Sequence, residues 1–308
     1  MTNGRHGTLE HAGNRRSAGD TRRIDFGGQR RKNGPQARFA MGMEDSGMGE
    51  VVGIAVLALF CHMTVAFVVS LARRDNGLAD VAYGLGFTLA STAAFLRSGL
   101  AHPRQWLLLV MVAAWGLRLA IHILVRNWGR EEDFRYRAWR EAWGKTFVLR
   151  SFLQIYMLQG AVILVVLAPV LLVMADPGGP LGLLDAAGVL VWCVGFLFEA
   201  FGDLQLLRHL RNPASRGRVL QTGLWRFTRH PNYFGEATLW WGVLLVALGA
   251  PLGWAGVVGP LTILFLLLKV SGIPMLKAKF RGKPEFEDYR ARTSAFFPWF
   301  PGRRGAGR

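Results

Sequence analysis

The sequence predicts an all-α protein, a multispan transmembrane bundle of about seven helices with polar loops gathered on one side. Three observations predict it. The 308 residues are 51% hydrophobic, with eleven Trp and twenty Phe, and mean hydropathy is +0.24. Apolar residues come in blocks of about 20, the length that crosses a ~30 Å hydrocarbon core. Lys and Arg fall in the tails and in alternate loops, as the positive-inside rule describes. The net charge of +17 therefore reads as membrane topology and not as nucleic-acid binding. Cys61 and Cys193 both lie inside expected spans, which argues against a structural disulfide or a zinc site, and no metal site is expected.

Taken in order, residues 1–48 read as a disordered basic tail. The first forty carry nine Lys or Arg against three acids and no long apolar run. No apolar segment follows the early arginines closely enough for an ordinary signal peptide, and Met41 and Met43 are alternative starts. Residues 49–302 read as the membrane domain and 303–308 as a second basic tail. The expected spans are Val51–Ala72, Leu78–Leu96, Trp106–Val125, Phe152–Ala175, Leu181–Phe201, Ala237–Leu248 and Trp254–Val270. The loops at 176–180 and 249–253 are tight and rich in Pro and Gly, so their flanking helices should pair as hairpins.

Counting basic residues by side sets the orientation. One side receives Arg73 and Arg74, seven Lys or Arg in 126–150, six in 202–235 and nine after Ile273. The other receives Arg97 and Arg104, with the basic tail standing off from the first span. The N-terminus is expected outside and the C-terminus in the cytoplasm.

Four polar constellations fall on the cytoplasmic side. In "DNGLADVAYGLGF" (75–87), Asp80 and Tyr83 are three apart and share a helix face. Tyr83 could donate to a carbonyl oxygen; an interfacial Tyr beside a helix-starting Asp would explain the same pair. In the third span Arg118, His122 and Arg126 stand on one face, and an intramembrane Arg reads as functional by default. Snorkelling would account for Arg126. The mixed charges of Glu131–Glu141 read mostly as a solvated, ion-paired face, although Asp133, Arg135 and Tyr136 could touch a ligand. From 199 to 236, Glu199 and Asp203 are followed by Gln205, Arg208 and Arg211, then Arg216, Arg218, Arg226 and Arg229. A helix is expected to start near Pro231, with Asn232 and Glu236 on one face. Its free N–H groups and the arginines suit phosphate. Asp203, His230, Asn232 and Glu236 at a membrane edge are not explained by topology alone. Finally, Lys269 is almost within the last span, Gly272 and Pro274 should bend it, and "FFPWF" (296–300) should lie at the interface.

The segments "DVAYGLGF", "WGLRLAIHILVRN", "EDFRY", "GDLQL", "TGLWRFTRHPNYFGE", "SGIP" and "RTSAFFPWFP" occur in order. On them the chain, from about Leu59 to Pro301, resembles the DUF1295 group of steroid 5α-reductase-like membrane enzymes. The shorter Arg229-His230-Pro231-Asn232-Tyr233 core is also similar to isoprenylcysteine carboxyl methyltransferases and sterol reductases. The resemblance implies a seven-helix bundle that binds NADPH from the cytoplasmic side, and hydride transfer to the β-carbon of an enone in an apolar, steroid-like or lipid substrate. It implies that Asn232 and Glu236 contact the cofactor, with Tyr233, Arg229 and His230 carried in the same core. Asp203 and Arg211 match positions before the loop, and Arg118, Arg130 and Lys269 are further candidates. The family's steroid-specific members hold the ketone with a Glu–Tyr pair. Here the early helices offer Asp80 and Tyr83, and Lys277 stands where relatives often have Glu. The alternative implied by the shorter core is an S-adenosylmethionine-dependent membrane methyltransferase. That cofactor carries no phosphate, so it leaves the arginines without a purpose. A transporter would show internal repeats, and none is evident.

Overall fold

The computed structural model describes residues 35–99, 102–129, 131–215, 217–270, 272–273 and 282–302. The chain divides into two units, Met1–Ala40 and Met41–Arg308. The first contributes, among the described residues, only the opening of a helix. That helix, α1 (Pro35–Arg73), begins inside the stretch expected to be a disordered tail. Pro35 suits a first helical turn, where its missing N–H leaves nothing unpaired. Residues 1–34 and 303–308 lie outside the described part, as do Arg130, Arg216, Pro274 and Lys277.

The remaining helices are α2 (Leu78–Ser98), α3 (Pro103–Asn127), α4 (Phe134–Trp143), α5 (Phe147–Ser151), α6 (Leu158–Val166), α7 (Ala168–Ala175), α8 (Leu183–Arg211), α9 (Pro231–Ala247), α10 (Val258–Phe265) and α11 (Pro284–Arg292). Among the described residues six helical runs are long and apolar enough to cross a membrane: Gly47–Arg73, Leu78–Ser98, Pro103–Asn127, Arg135–Val166, Leu183–Arg211 and Gly253–Val270. The sixth expected span, Ala237–Leu248, overlaps α9, which has 17 residues and packs along α8.

The expected fourth span, Phe152–Ala175, is not one helix. The run starts earlier, passes through a π-helical segment at Phe152–Met157 and ends at Val166. Leu167 breaks it, and α7 restarts with Pro169 in its first turn. Proline has no N–H to continue the ladder, and its ring clashes with the preceding turn. A second π-helical segment, Leu266–Val270, extends α10. The fifth span runs ten residues past its expected end, so Asp203, Gln205, Arg208 and Arg211 lie on α8 and not in a loop.

Small residues let the helices approach. Gly188, Gly195 and Gly202 stand at seven-residue spacing on α8, facing Gly242, Gly235 and Pro231 of α9. A Cβ at Gly188 would meet the Gly242 carbonyl oxygen at 2.7 Å, and one at Gly242 would meet that of Gly188 at 2.7 Å. The same reciprocity joins Gly84 of α2 to Gly116 of α3 at 2.5 Å. Lipid supplies no hydrophobic drive between helices, so close van der Waals packing across small residues holds such seams.

A second tie closes the opposite end of the bundle. Arg104, 2% exposed, forms a fork with Asp185, Nε to Oδ1 at 2.8 Å and Nη2 to Oδ2 at 2.9 Å. Its remaining N–H groups donate to the carbonyls of Pro177, Gly179 and Pro180. Gln105 donates to Met174 O at 3.0 Å. This arginine, counted above only as a topological charge, ties the start of α3 to the α7–α8 turn with every donor used.

The backbone atoms facing the α8 seam cannot yield as a flexible side chain would. Gly195→Leu is expected to cost about 3 kcal/mol and to lower the thermal unfolding midpoint in detergent. Leu197→Ala, on the exposed face of the same helix, should leave the midpoint nearly unchanged.

Candidate functional site

The site begins with a charge that the bundle must neutralise. Arg118 points from α3 toward α8. Its Nη1 donates to Asp203 Oδ2 at 2.6 Å and its Nη2 to Glu199 Oε1. Glu199 and Asp203 are one turn apart on α8, so both reach the same guanidinium. Trp115, one turn before Arg118, donates its indole N–H to Glu199 Oε2 at 2.8 Å. Asn232 on α9 donates to Asp203 Oδ1 at 3.1 Å, and His122 Nε2 stands 3.9 Å from Asp203 Oδ2. Glu199 and Asp203 are buried. Three helices thus meet at one cluster, and each carboxylate oxygen has a donor.

Beside it lies a cavity of about 340 Å³, opening between α2, α4, α6, α9 and α10. One part of its wall is polar: Asp80, Tyr83, Arg135, Tyr136 and Glu236. The rest is mostly aliphatic, with Ile155, Leu158, Val162, Ile263, Leu266 and Leu267. Asp80 is fully engaged: Tyr136 donates to its Oδ1 at 2.7 Å and Arg135 to its Oδ2 at 3.0 Å. Among the described residues, nothing hydrogen-bonds the Tyr83 hydroxyl or the Glu236 carboxyl. The Tyr83 ring packs edge-on against Phe87 at 5.0 Å, which in turn meets Trp115 and Trp240. This aromatic stack fixes the direction in which the phenol points. Asn232 and Glu236, one turn apart on α9, link the charged cluster to the cavity.

The start of α9 is held from two directions. Thr228 forms a parallel bridge with Ser294. Arg229 N donates to Ser294 O, Thr228 Oγ1 to Phe296 O and Trp299 N to Phe227 O, each at 2.9 Å. From α8, Gln205 accepts from Leu224 N at 3.0 Å, and Gly202 O accepts from the Trp225 indole at 3.1 Å. At this stitched corner Arg229 Nε, His230 Nδ1 and Asn232 Oδ1 are buried with no partner among the described residues. His230 stacks on Tyr233 at 5.2 Å. Burial pushes the His230 pKa down to about 4, and the Arg229 charge adds to the effect. Burial also lowers Arg229 itself, with Arg290 contributing.

The structure therefore brings together Asp80, Tyr83 and Glu236 in the cavity, and Arg118, Asp203 and Asn232 in the adjoining cluster. Arg229, His230 and Tyr233 stand at the α9 start. Arg118 is committed to carboxylates and not to open space. Arg211 is exposed and donates to Val125 O at 3.2 Å, and Lys269 is exposed on the second π-helical segment; neither reaches the cavity wall. Arg135 and Tyr136, read from sequence mostly as a solvated face, are cavity residues, with Tyr136 only 4% exposed. Their signal was an aromatic residue inside an otherwise charged stretch.

A bundle of long apolar helices, with a half-polar chamber beside a buried charge cluster, defines an integral membrane protein with an internal cavity. The chain belongs to the DUF1295 family, described as proteins of unknown function, whose profile matches residues 66–293. A 79-residue stretch is 34% identical to 3-oxo-5-alpha-steroid 4-dehydrogenase 1 of Bos taurus, covering 25% of this chain and 30% of that protein. No solved structure matches.

Removing Glu199 strands both the Trp115 N–H and one arm of Arg118. Glu199→Leu is expected to destabilise by about 3 kcal/mol, read as a lower thermal midpoint, whereas Lys269→Ala should change it by less than ~0.5 kcal/mol. His230 supplies a pH test. Its pKa is lowered from 6.5 to about 4, so between those values the unfolded chain binds a proton that the folded chain refuses. Stability is present above pH 6.5 and is lost as pH falls toward 4. In His230→Gln, the slope of midpoint against pH across that window should flatten.

Proposed function

We propose that the protein is a membrane-embedded, NADPH-dependent reductase that delivers hydride to the C=C bond of an enone in an apolar, lipid-like substrate. The observation that carries this reading is the cavity itself: a phenol, Tyr83, and a carboxyl, Glu236, both without a hydrogen-bond partner among the described residues, at the polar end of an aliphatic chamber. The family membership and the dehydrogenase name of the bovine relative support it.

The chain's residues divide the work. Tyr83 donates a hydrogen bond to the substrate carbonyl oxygen and polarises the enone. Asp80 cannot take that role because Arg135 and Tyr136 occupy it; it holds those two in place at the rim. The orphaned polar atoms at the α9 start suit a ligand with phosphates and an amide. Arg229 and the helix N–H groups would face phosphate, and Asn232, Tyr233, His230 and Glu236 would orient the ring end. When bound, NADPH supplies the hydride. Arg118 holds Asp203 and Glu199 in place, and so sets the position of Asn232. The aliphatic wall excludes water from the reacting centre. Exposed Arg208, Arg211, Arg218 and Arg226 support, by the positive-inside rule, an orientation with this end of the bundle in the cytoplasm and the N-terminus outside.

The test compares ligand-induced thermal shifts of the purified protein. NADPH should raise the midpoint, and S-adenosylmethionine should not; the reverse result would replace the reductase by a methyltransferase. Glu236→Ala should weaken NADPH binding about tenfold while the unliganded midpoint holds; Asn232→Ala should weaken binding as well and also lower the unliganded midpoint, because it strips Asp203 Oδ1 of its donor. Tyr83→Phe should leave NADPH binding intact and lower the rate of enone reduction about a hundredfold.

A further inference from the structure

The two π-helical segments both border the cavity. Phe152–Met157 supplies Ile155 and Gln154 to its wall, and Leu266–Val270 supplies Leu266 and Leu267. Departures of this kind from α geometry gather at functional sites. The first has a specific effect on side-chain direction. Gln154 and Gln159 are five apart, which on an uninterrupted α-helix would set them about 140° apart. The π turn, closing on i+5, brings them onto one face, and both line the chamber.

Gln159 stands out within that wall. It sits at the start of α6, between Leu158 and the aliphatic turn that carries Val162, and among the described residues its Oε1 is buried without a hydrogen-bond partner. An amide oxygen that is shielded from water and unpaired is unfavourable. A carboxamide carries both donor and acceptor, so it is matched by a hydroxyl or amide on a bound molecule. Tyr83 and Glu236 reach the chamber from α2 and α9; Gln159 reaches it from α6, a third helix.

We propose that Gln159, with Gln154 at the mouth, is a specificity-determining subsite that hydrogen-bonds a second polar group of the substrate. This rests on the reductase reading and narrows its substrate class. The substrate is an enone lipid that also bears a hydroxyl or amide, and not an enone on a plain hydrocarbon. A site built to pair with such a group discriminates against the analogue that lacks it, because its own polar atoms are then left unpaired.

The experiment uses the full chain in detergent with NADPH and two matched pairs of probes. One pair is testosterone and androst-4-en-3-one, which differ by one hydroxyl. The other is a cyclohexenone bearing a decyl tail, with and without a hydroxyl on that tail. For at least one pair, the native protein should favour the hydroxylated member about tenfold in kcat/KM. In Gln159→Met, close in shape and unable to act as an amide, that preference should fall to near unity while reduction of the plain enone persists. The ratio within a pair is unmoved by a merely structural loss, and Gln154→Ala should reduce it by a smaller factor. Reduction of both members at equal rates by the native protein, or an unchanged ratio in Gln159→Met, would overturn the subsite and leave the reductase standing. Failure of the native protein to bind or reduce any of the four probes would overturn both.

Discussion

A guanidinium inside an apolar bundle has to be met by charge, and the rest of the site follows from that requirement. Arg118 draws Glu199 and Asp203 from α8. Those carboxylates then need further donors, because an acid with spare lone pairs is as unfavourable as the unpaired base. Trp115 and Asn232 supply them. Through Asn232 the cluster sets the rotation of α9, and with it the direction of Glu236. A structural ion pair and the wall of the cavity are therefore one construction.

That construction is possible only because α8 and α9 come together at backbone distance. With Gly195 opposite Gly235, the Glu199 side chain lies directly against the turn that begins α9. A larger residue on either helix would push them apart and carry Asn232 away from Asp203. At the far end, Arg104 and Asp185 do comparable work with a different device, using a saturated hydrogen-bond fork in place of missing side chains.

Much of this was legible in the residues. Hydropathy located α2, α3 and the start of α8 to within a few positions, because length and composition are what a bilayer constrains. It misread the run that ends at Val166, since an apolar stretch looks continuous whether or not Pro169 interrupts its hydrogen bonds. Neither π-helical segment leaves a trace in composition, so the shared face of Gln154 and Gln159 could not be read. Asp80 and Tyr83 were found together because local spacing pairs them. The bond from Tyr136 to Asp80 spans 56 positions, and the charges around Tyr136 concealed it. Asp203, Asn232 and Glu236 were singled out for being polar at a membrane edge; that Arg118 would serve Asp203 rather than a ligand required the fold.

The strap that sews Ser294–Trp299 onto Phe227–Arg229 has a consequence for biogenesis. Spans α1 to α8 can enter the bilayer as they emerge from the translocon, but the corner at His230 stays unfinished until some sixty later residues have been translated and folded back beneath it. Completion of the α9 start is in that sense a terminal event, gated by the arrival of the carboxy-terminal segment and not by insertion of the helices before it.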